Sequence, residues 1–288
     1  MTMPSRDPAM PLPESTSTPS TRNLWLRIAS AAVLAPLAIG AAYIGSWPFT
    51  IFWLAAAVAV WWEWVGLIEP AGRQVVLATG ACALVLQAIL LEAGHPIIAV
   101  MVIALGIFAA IATAGRQSPL VAGGIVYASA LLVAPVVIRA DTGFGFAAVL
   151  MLFAVVWGTD IGGYFSGRAF GGPKLVPSIS PKKTWSGAIG GTIVAIAAAV
   201  AVGFLFASRT PVMIGVTALV LAIASQAGDL FESWLKRKFD AKDSSGLIPG
   251  HGGVMDRLDG FIFAATVAAL FGVLRGGFEA PGSALLVW

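Results

Sequence analysis

The sequence predicts an all-α polytopic membrane protein with about nine transmembrane helices. Its 288 residues are 58% hydrophobic and only 11% charged, whereas soluble domains carry about 25% charged residues. Apolar runs of about 20 residues, the length that spans a bilayer as a helix, follow one another along most of the chain. The single cysteine, Cys82, excludes an intrachain disulfide and a zinc site built from several cysteines.

Residues 1–23 differ in composition from the rest of the chain. Prolines alternate there with Ser and Thr, and no apolar face forms. This composition is typical of a disordered tail, and it lacks the order of a cleavable signal peptide. We expect residues 24–288 to form a single integral-membrane catalytic domain, with its catalytic half at about 144–275.

Each predicted helix corresponds to one apolar run. Short turns that contain Pro or Gly separate most of the runs, whereas the connections 166–185 and 231–259 are long and polar. The predicted spans are 25–45, 49–68, 74–92, 96–114, 119–138, 144–165, 186–207, 211–230 and 260–275.

The placement of Lys and Arg predicts the orientation, because cytoplasmic loops retain these residues. With the N-terminus in the cytoplasm, all but three of the 17 cations fall in cytoplasmic segments. The three exceptions are Arg139, Arg209 and Arg275. Both long polar connections then lie on the cytoplasmic side, where nucleotides are found.

Glu63 is a carboxylate in the middle of the second run. A carboxylate at this depth is costly and is a candidate functional residue by default. Its distance along the sequence from the polar connections favours a structural partner, either a cation or a polar group of the bundle, over a catalytic role.

Asp160 lies inside the sixth run, and a basic loop without acidic residues follows it. The cations of this loop are Arg168, Lys174, Lys182 and Lys183. Such a loop either sets topology and contacts anionic lipid headgroups or binds phosphate. The hydroxyls of Ser180 and Thr184 could donate to the same phosphate.

The eighth run ends in a polar helical face. Asp229, Ser233 and Lys236 have the spacing i, i+4, i+7 and share that face, with Glu232 beside them. The carboxylates either form structural ion pairs with nearby cations or belong to a functional site.

A glycine-rich segment leads into the last run. Gly252 and Gly253 allow a close backbone approach that suits anionic phosphate. Asp256 and Asp259 point the same way if a helix begins here, where they would bind metal or cap the helix. His251 is expected to contact phosphate or to orient the backbone.

Asp229 and Asp256 stand at the membrane ends of consecutive spans joined by one loop, so we expect them to lie close together. Hard oxygen ligands suit Mg²⁺, which takes one or two carboxylates together with substrate phosphates. The predicted site holds one or two Mg²⁺ ions. Asp259 and Asp160 are further candidate ligands.

The polar C-terminal motif resembles the signature of the phosphatidate cytidylyltransferases, the CDP-diacylglycerol synthases. The matching residues are Ser233, Lys236, Arg237, Lys242, Asp243, His251, Gly252, Gly253, Asp256, Arg257 and Asp259. Many members carry an acidic or amide residue where this chain has Ser186. The resemblance implies that CTP and phosphatidic acid are the substrates, and that CDP-diacylglycerol and pyrophosphate are the products.

With this resemblance, we expect Lys236 and Arg257 to act with Asp229 and Asp256 in catalysis. The other motif residues are expected to bind substrate or its phosphates: Ser180, Lys182, Lys183, Thr184, Ser233, Arg237, Lys242, His251, Gly252 and Gly253. The expected location is the inner membrane of a bacterium, with the site facing the cytoplasm. Homo-oligomers are possible, and no nucleic acid partner is expected.

Two other functions remain open at this stage. A CTP-dependent lipid kinase would transfer the γ-phosphoryl group to a polyprenol-type alcohol and would need a base for that hydroxyl. A transporter could use Asp160 and Asp229 as relays, but both lie near the predicted cytoplasmic ends of spans rather than along a path across the membrane.

Overall fold

The computed structural model describes residues 21–113, 117–206, 210–248 and 252–288, so the predicted tail lies almost wholly outside the described residues. Within these ranges, one long helix corresponds to each predicted span, and a short helix follows near the C-terminus. The helices are α1 (Thr21–Ile44), α2 (Ser46–Ile68), α3 (Arg73–Glu92), α4 (Pro96–Thr113), α5 (Ser118–Ala140), α6 (Gly145–Phe170), α7 (Trp185–Leu205), α8 (Pro211–Lys238), α9 (Met255–Gly276) and α10 (Pro281–Leu286).

Seven of the described helices are long and apolar enough to cross a membrane. Shorter apolar stretches, Ala32–Ile44 and Pro96–Ala109, belong to α1 and α4. The prediction of a helical polytopic membrane protein is confirmed. The number of nine spans and their orientation stay predictions.

The helices that border the polar connections are longer than predicted. α6 continues to Phe170, α8 continues to Lys238, and α9 already begins at Met255. Three cations in the last turn of α8 interact favourably with the negative end of its dipole. The connection between α8 and α9 is therefore shorter than predicted, 239–254 instead of 231–259.

A small β hairpin forms in the connection between α6 and α7, where no strand was predicted. Strand β1 (Lys174–Val176) pairs antiparallel with β2 (Ser180–Thr184). The sequence of β2 lacks the alternation of apolar and polar residues by which strands are recognised. The hydroxyl of Thr184 accepts a hydrogen bond from the N–H of Gly187 at 3.1 Å, so the hairpin ends directly in the N-cap of α7.

Glycines bring the helices around the polar loops into close contact. A Cβ on Gly191 of α7 would lie 2.5 Å from the carbonyl oxygen of Thr159 in α6. A Cβ on Gly228 of α8 would clash with the carbonyl oxygen of Asp259 in α9. Small residues allow such backbone approach between membrane helices. These close contacts lie directly beside Asp160 of α6, Asp229 of α8 and Asp259 of α9, the predicted aspartates.

Asp141 joins the turn before α6 to the start of α10. The side chain is 3% exposed and accepts hydrogen bonds from the N–H groups of Gly143 at 2.7 Å, Phe144 at 3.2 Å and Ser283 at 2.5 Å. Burial by itself would raise the pKa of Asp141, but the hydrogen bonds outweigh burial and lower the pKa below its usual value.

Candidate functional site

A cleft of about 190 Å³ opens between the β hairpin and the C-terminal end of α8. Its polar lining is Ser180, Lys182, Ser233, Lys236, Arg237 and Lys242, all of which were predicted to take part in catalysis or to bind phosphate. Among the described residues, no carboxylate forms an ion pair with Lys182, Arg237 or Lys242. The cleft therefore carries net positive charge and suits a polyanion.

Lys183 points to a different partner from its neighbour in the hairpin. Its ammonium forms an ion pair with Oδ2 of Asp229. The side chain of Lys183 is 26% exposed and that of Asp229 is 32% exposed. This pair joins the hairpin to α8, so two motifs that lie far apart in the sequence meet in one place. Lys182 faces the cleft, whereas Lys183 faces a carboxylate.

A group of three carboxylates lies where α6, α8 and α9 meet. Asp259 interacts electrostatically with Asp229 and Asp160, and Asp160 also interacts with Asp229. Lys183 acts on both Asp160 and Asp259, and Arg257 acts on Asp160. Because like charges repel, Lys183 and Arg257 offset part of the repulsion among these carboxylates.

Asp256 occupies a separate position at the start of α9. Its Oδ1 lies 2.7 Å from the ammonium of Lys236, which also lies 2.7 Å from Oε1 of Glu232. Oδ2 of Asp256 accepts bonds from the N–H and hydroxyl of Ser244, both at 3.0 Å, and from the N–H of Gly253 at 2.8 Å. The ion pair left open for the carboxylates of the α8 face is thus present at Glu232, and Asp256, for which a metal or a capping role was expected, shares the same lysine.

Each of the two principal predicted metal ligands, Asp229 and Asp256, is paired with one lysine. Within the described part of the chain, no group of three or more His, Cys, Asp or Glu side chains has the arrangement of a metal centre. The assignment of these aspartates as metal ligands therefore stays a prediction.

Glu63 reaches the polar loop from α2. The side chain is buried, and its two oxygens accept four hydrogen bonds. The donors are the hydroxyl of Ser244 at 3.1 Å, the hydroxyl of Ser245 at 2.5 Å, the N–H of Val254 at 2.8 Å and the N–H of Met255 at 2.7 Å. Glu63 therefore binds polar groups, as expected, but these groups belong to the polar segment 244–255 rather than to the apolar bundle, although that segment lies far from Glu63 in the sequence.

The glycines of the motif are required by close contacts with carboxylates. Gly252 has φ +84, which side chains rarely tolerate. A Cβ on Gly253 would lie 2.6 Å from Oε1 of Glu63 and would clash with the hydroxyl of Ser244. In this structure the N–H of Gly253 faces Asp256. His251 lies outside the described residues.

The sequence matches known proteins over nearly its whole length. Residues 25–274 match the profile of the cytidylyltransferase family. The chain belongs to this family. It is 42% identical over 267 residues to a protein of Brucella suis named phosphatidate cytidylyltransferase, covering 91% of this chain and 97% of that protein. A protein of the same name from Brucella abortus is 43% identical over 258 residues, covering 88% of this chain and 94% of the relative.

A third relative matches over a shorter stretch of the chain. A Haemophilus influenzae protein of the same name is 44% identical over 139 residues, which is 46% of this chain and 47% of that protein. The family match at 25–274 includes Glu63, the hairpin, the cleft and the carboxylate group. The residues that form the candidate site therefore all lie within the part of the chain that matches the cytidylyltransferase family.

Tyr127 was not singled out by the sequence, although it lies next to the site. It is 6% exposed, and among the described residues its hydroxyl has no hydrogen-bond partner. The ring packs against Trp64 at 5.3 Å and Phe231 at 5.8 Å between centroids. Nothing in its sequence context, an apolar stretch of α5, distinguishes it from an ordinary core aromatic residue.

Proposed function

We propose that the protein transfers CMP from CTP to phosphatidic acid, giving CDP-diacylglycerol and pyrophosphate. The observation that carries the proposal is the cation-lined cleft, which adjoins the carboxylate group at the ends of helices apolar enough to cross a membrane. A site of this kind can receive one substrate from water and the other from the bilayer. The relatives reported above carry the name of this reaction.

The reaction needs positioning and charge neutralisation more than proton transfer. An anionic oxygen of the lipid phosphate attacks the α-phosphorus of CTP and forms a new P–O bond. The bond from that phosphorus to the bridging oxygen breaks, and pyrophosphate leaves with the electron pair. Because the nucleophile is already an anion, no strong general base is required, and the barrier is mostly charge repulsion and alignment.

The cleft supplies groups that fit the triphosphate. Lys182, Arg237 and Lys242 offer cations without a carboxylate partner among the described residues. The hydroxyls of Ser180 and Ser233 can donate to phosphate oxygens in the same cleft. We assign the triphosphate to this cleft.

Lys236 and Arg257 both interact with carboxylates of the site. Lys236 lines the cleft and pairs with Asp256, while Arg257 interacts with Asp160. Either cation can therefore neutralise phosphate charge close to the acidic residues. We propose that both act in catalysis.

Positive charge would relieve the mutual repulsion among Asp160, Asp229 and Asp259, although these described side chains do not have the arrangement of a metal centre in this structure. We propose one or two Mg²⁺ ions, held mainly by Asp229 and Asp256, with Asp160 and Asp259 contributing. Bound Mg²⁺ would neutralise phosphate charge and polarise the reacting phosphoryl group.

We also propose that the site faces the cytoplasm of a bacterium from its inner membrane. The strong excess of Lys and Arg on one side of the predicted spans supports this orientation. The relatives reported above come from bacteria, which supports the assignment to a bacterial inner membrane.

The test uses purified protein with phosphatidic acid, Mg²⁺ and CTP labelled separately at the α- and γ-phosphorus. Label from the α position in the lipid product, with release of pyrophosphate, is the expected result. Label from the γ position would replace the proposal with a CTP-dependent lipid kinase. Absence of label in lipid from either position would also contradict it.

A further inference from the structure

We propose that Glu63 is a positioning residue, which sets the start of α9 so that Asp256 holds Lys236 at the cleft. Glu63 lies on α2, the second helix of the chain, and 191 residues separate it from the backbone N–H of Val254 that it binds. The inference rests on the proposed function, because the positioned residues are those assigned to cytidylyl transfer.

Glu63 acts as the N-terminal cap of α9. Val254 is the N-cap residue, and its side chain makes no capping hydrogen bond. The free N–H groups at the start of a helix need acceptors, and an anion there is further favoured by the helix dipole. Glu63 supplies the acceptors and the negative charge, because its two carboxylate oxygens accept hydrogen bonds from the N–H groups of Val254 and Met255.

The hydroxyl of Ser244 couples Glu63 to Asp256. Its single hydrogen is shared between Oε2 of Glu63 at 3.1 Å and Oδ2 of Asp256 at 3.0 Å. The same oxygen of Asp256 binds the N–H of Gly253, the residue just before the two N–H groups held by Glu63. A shift of Glu63 would therefore pass directly to Asp256, and through the ion pair to Lys236 in the cleft.

The site requires a carboxylate rather than an amide of the same shape. Four donors converge on two oxygens, and two of them are backbone N–H groups that cannot turn to become acceptors. In Glu63→Gln the new NH₂ group would face one of these N–H groups. Burial of a carboxylate is costly, and four hydrogen bonds are the compensation that this environment provides.

Glu92, the last residue of α3, offers a matched control, because it contacts the N-terminal end of α2 whereas Glu63 lies near the C-terminal end. It accepts hydrogen bonds from the hydroxyls of Ser46 at 3.0 Å and Thr50 at 2.5 Å, and thus ties α3 to α2 far from the cleft. Like Glu63→Gln, Glu92→Gln removes the charge of a carboxylate that connects two helices, but the donors to Glu92 are hydroxyls. It should lower thermal stability without disturbing the loop.

The experiment compares Glu63→Gln and Glu92→Gln at a temperature where both remain folded. We expect Glu63→Gln to lower kcat for CDP-diacylglycerol formation by about tenfold to a hundredfold, the scale of a small misplacement of reacting groups. Glu92→Gln should keep kcat within about twofold of wild type. Equal kcat values for the two variants would overturn the proposal and leave Glu63 a purely structural tie.

Amide hydrogen exchange supplies a readout that does not depend on turnover. Exchange at Val254 and Met255 should accelerate in Glu63→Gln and stay at the wild-type rate in Glu92→Gln. Unchanged exchange in both variants would also overturn the proposal. A wild-type protein that makes no CDP-diacylglycerol would overturn the proposed function, while these exchange rates would still test the contact between Glu63 and the loop.

A second variant serves if Glu63→Gln does not fold. Ser244→Ala removes the hydroxyl between the two carboxylates and leaves the four charges of Glu63, Asp256, Lys236 and Glu232 in place. We expect kcat to fall further in Ser244→Ala than in Ser245→Ala, which removes a hydroxyl bound to Glu63 alone. The reverse order, or no loss in either variant, would contradict the coupling.

Discussion

Lys236 and Asp256 form an ion pair of 2.7 Å that ties the end of α8 to the beginning of α9. The loop between these helices thus starts and finishes at one electrostatic contact. Because Lys236 also lines the cleft, the pair connects the proposed triphosphate site with the segment that Glu63 holds. Changes at either residue are therefore expected to affect both substrate binding and the acidic part of the site.

The proposed metal ligands give the first prediction. We expect Asp229→Asn and Asp256→Asn each to remove nearly all turnover while the protein stays folded in detergent, because an amide is a much weaker ligand for Mg²⁺ than a carboxylate. The measurement is CDP-diacylglycerol formation across a range of Mg²⁺ concentrations, together with size-exclusion chromatography to check folding.

Asp240→Asn is the matched control for these variants. Asp240 is exposed just beyond α8 and has φ 50, a conformation that Asn also tolerates. It should keep wild-type turnover. Substantial activity of Asp256→Asn at ordinary Mg²⁺ concentrations would show that Asp256 serves the loop and Lys236 rather than a metal.

The helices and most residues around the cleft could be predicted from the sequence. Apolar runs of bilayer length form helices because buried backbone groups in lipid must satisfy one another. Ser233, Lys236 and Arg237 meet Ser180 and Lys182 in the cleft because their motifs flank consecutive spans on one side.

Contacts between distant helices could not be predicted in the same way. The bond from Val254 to Glu63 depends on how α2 lies beside α9, and hydrophobic periodicity does not determine which helices become neighbours. The pairing of Lys183 with Asp229 likewise depends on the β hairpin, whose strands lack the alternation of apolar and polar residues that predicts a strand.

The topology gives the second prediction, because nine spans place the N- and C-termini on opposite sides. Ser178→Cys should be labelled from the cytoplasmic side and Ala280→Cys from the opposite side, each in a Cys82→Ser background. The measurement is modification by a membrane-impermeant maleimide in inside-out and right-side-out vesicles. Labelling of both positions from one face would refute the odd number of spans.

Asp141 gives a prediction of pH dependence. Its hydrogen bonds lower its pKa in the folded protein, so it stabilises the fold fully above the unfolded pKa of about 3.9 and loses this contribution as pH falls through the lower folded pKa. Asp141→Asn should therefore lower Tm at neutral pH.

The difference in Tm between wild type and Asp141→Asn should narrow as the pH is lowered below about 4. At low pH Asp141 becomes protonated and therefore neutral, like the Asn that replaces it. Thermal unfolding in detergent between neutral and acidic pH measures this difference. A constant difference across the whole range would mean that the charge of Asp141 contributes nothing and that the variant acts through packing alone.

The two neighbouring lysines of the hairpin give the last prediction. Lys182 faces the cleft, and we expect Lys182→Ala to lower kcat/KM for CTP. The loss should correspond to about 1–3 kcal/mol in the activation free energy, the scale of a charge-assisted hydrogen bond. Its dependence on Mg²⁺ should not change, because Lys182 has no carboxylate partner among the described residues. Steady-state kinetics at several fixed Mg²⁺ concentrations measure both quantities.

Lys183→Ala should lower kcat/KM and also shift the Mg²⁺ concentration for half-maximal activity, because it removes the ammonium that pairs with Asp229. Arg73→Ala, at an exposed cation on the same predicted side and outside the motifs, should change neither quantity. Small and equal effects at all three positions would mean that the basic hairpin sets topology or contacts lipid headgroups, since a phosphate-binding cation must cost more than a distant one. A shift in Mg²⁺ dependence for Lys182→Ala but not for Lys183→Ala would instead reverse the roles assigned to the two lysines.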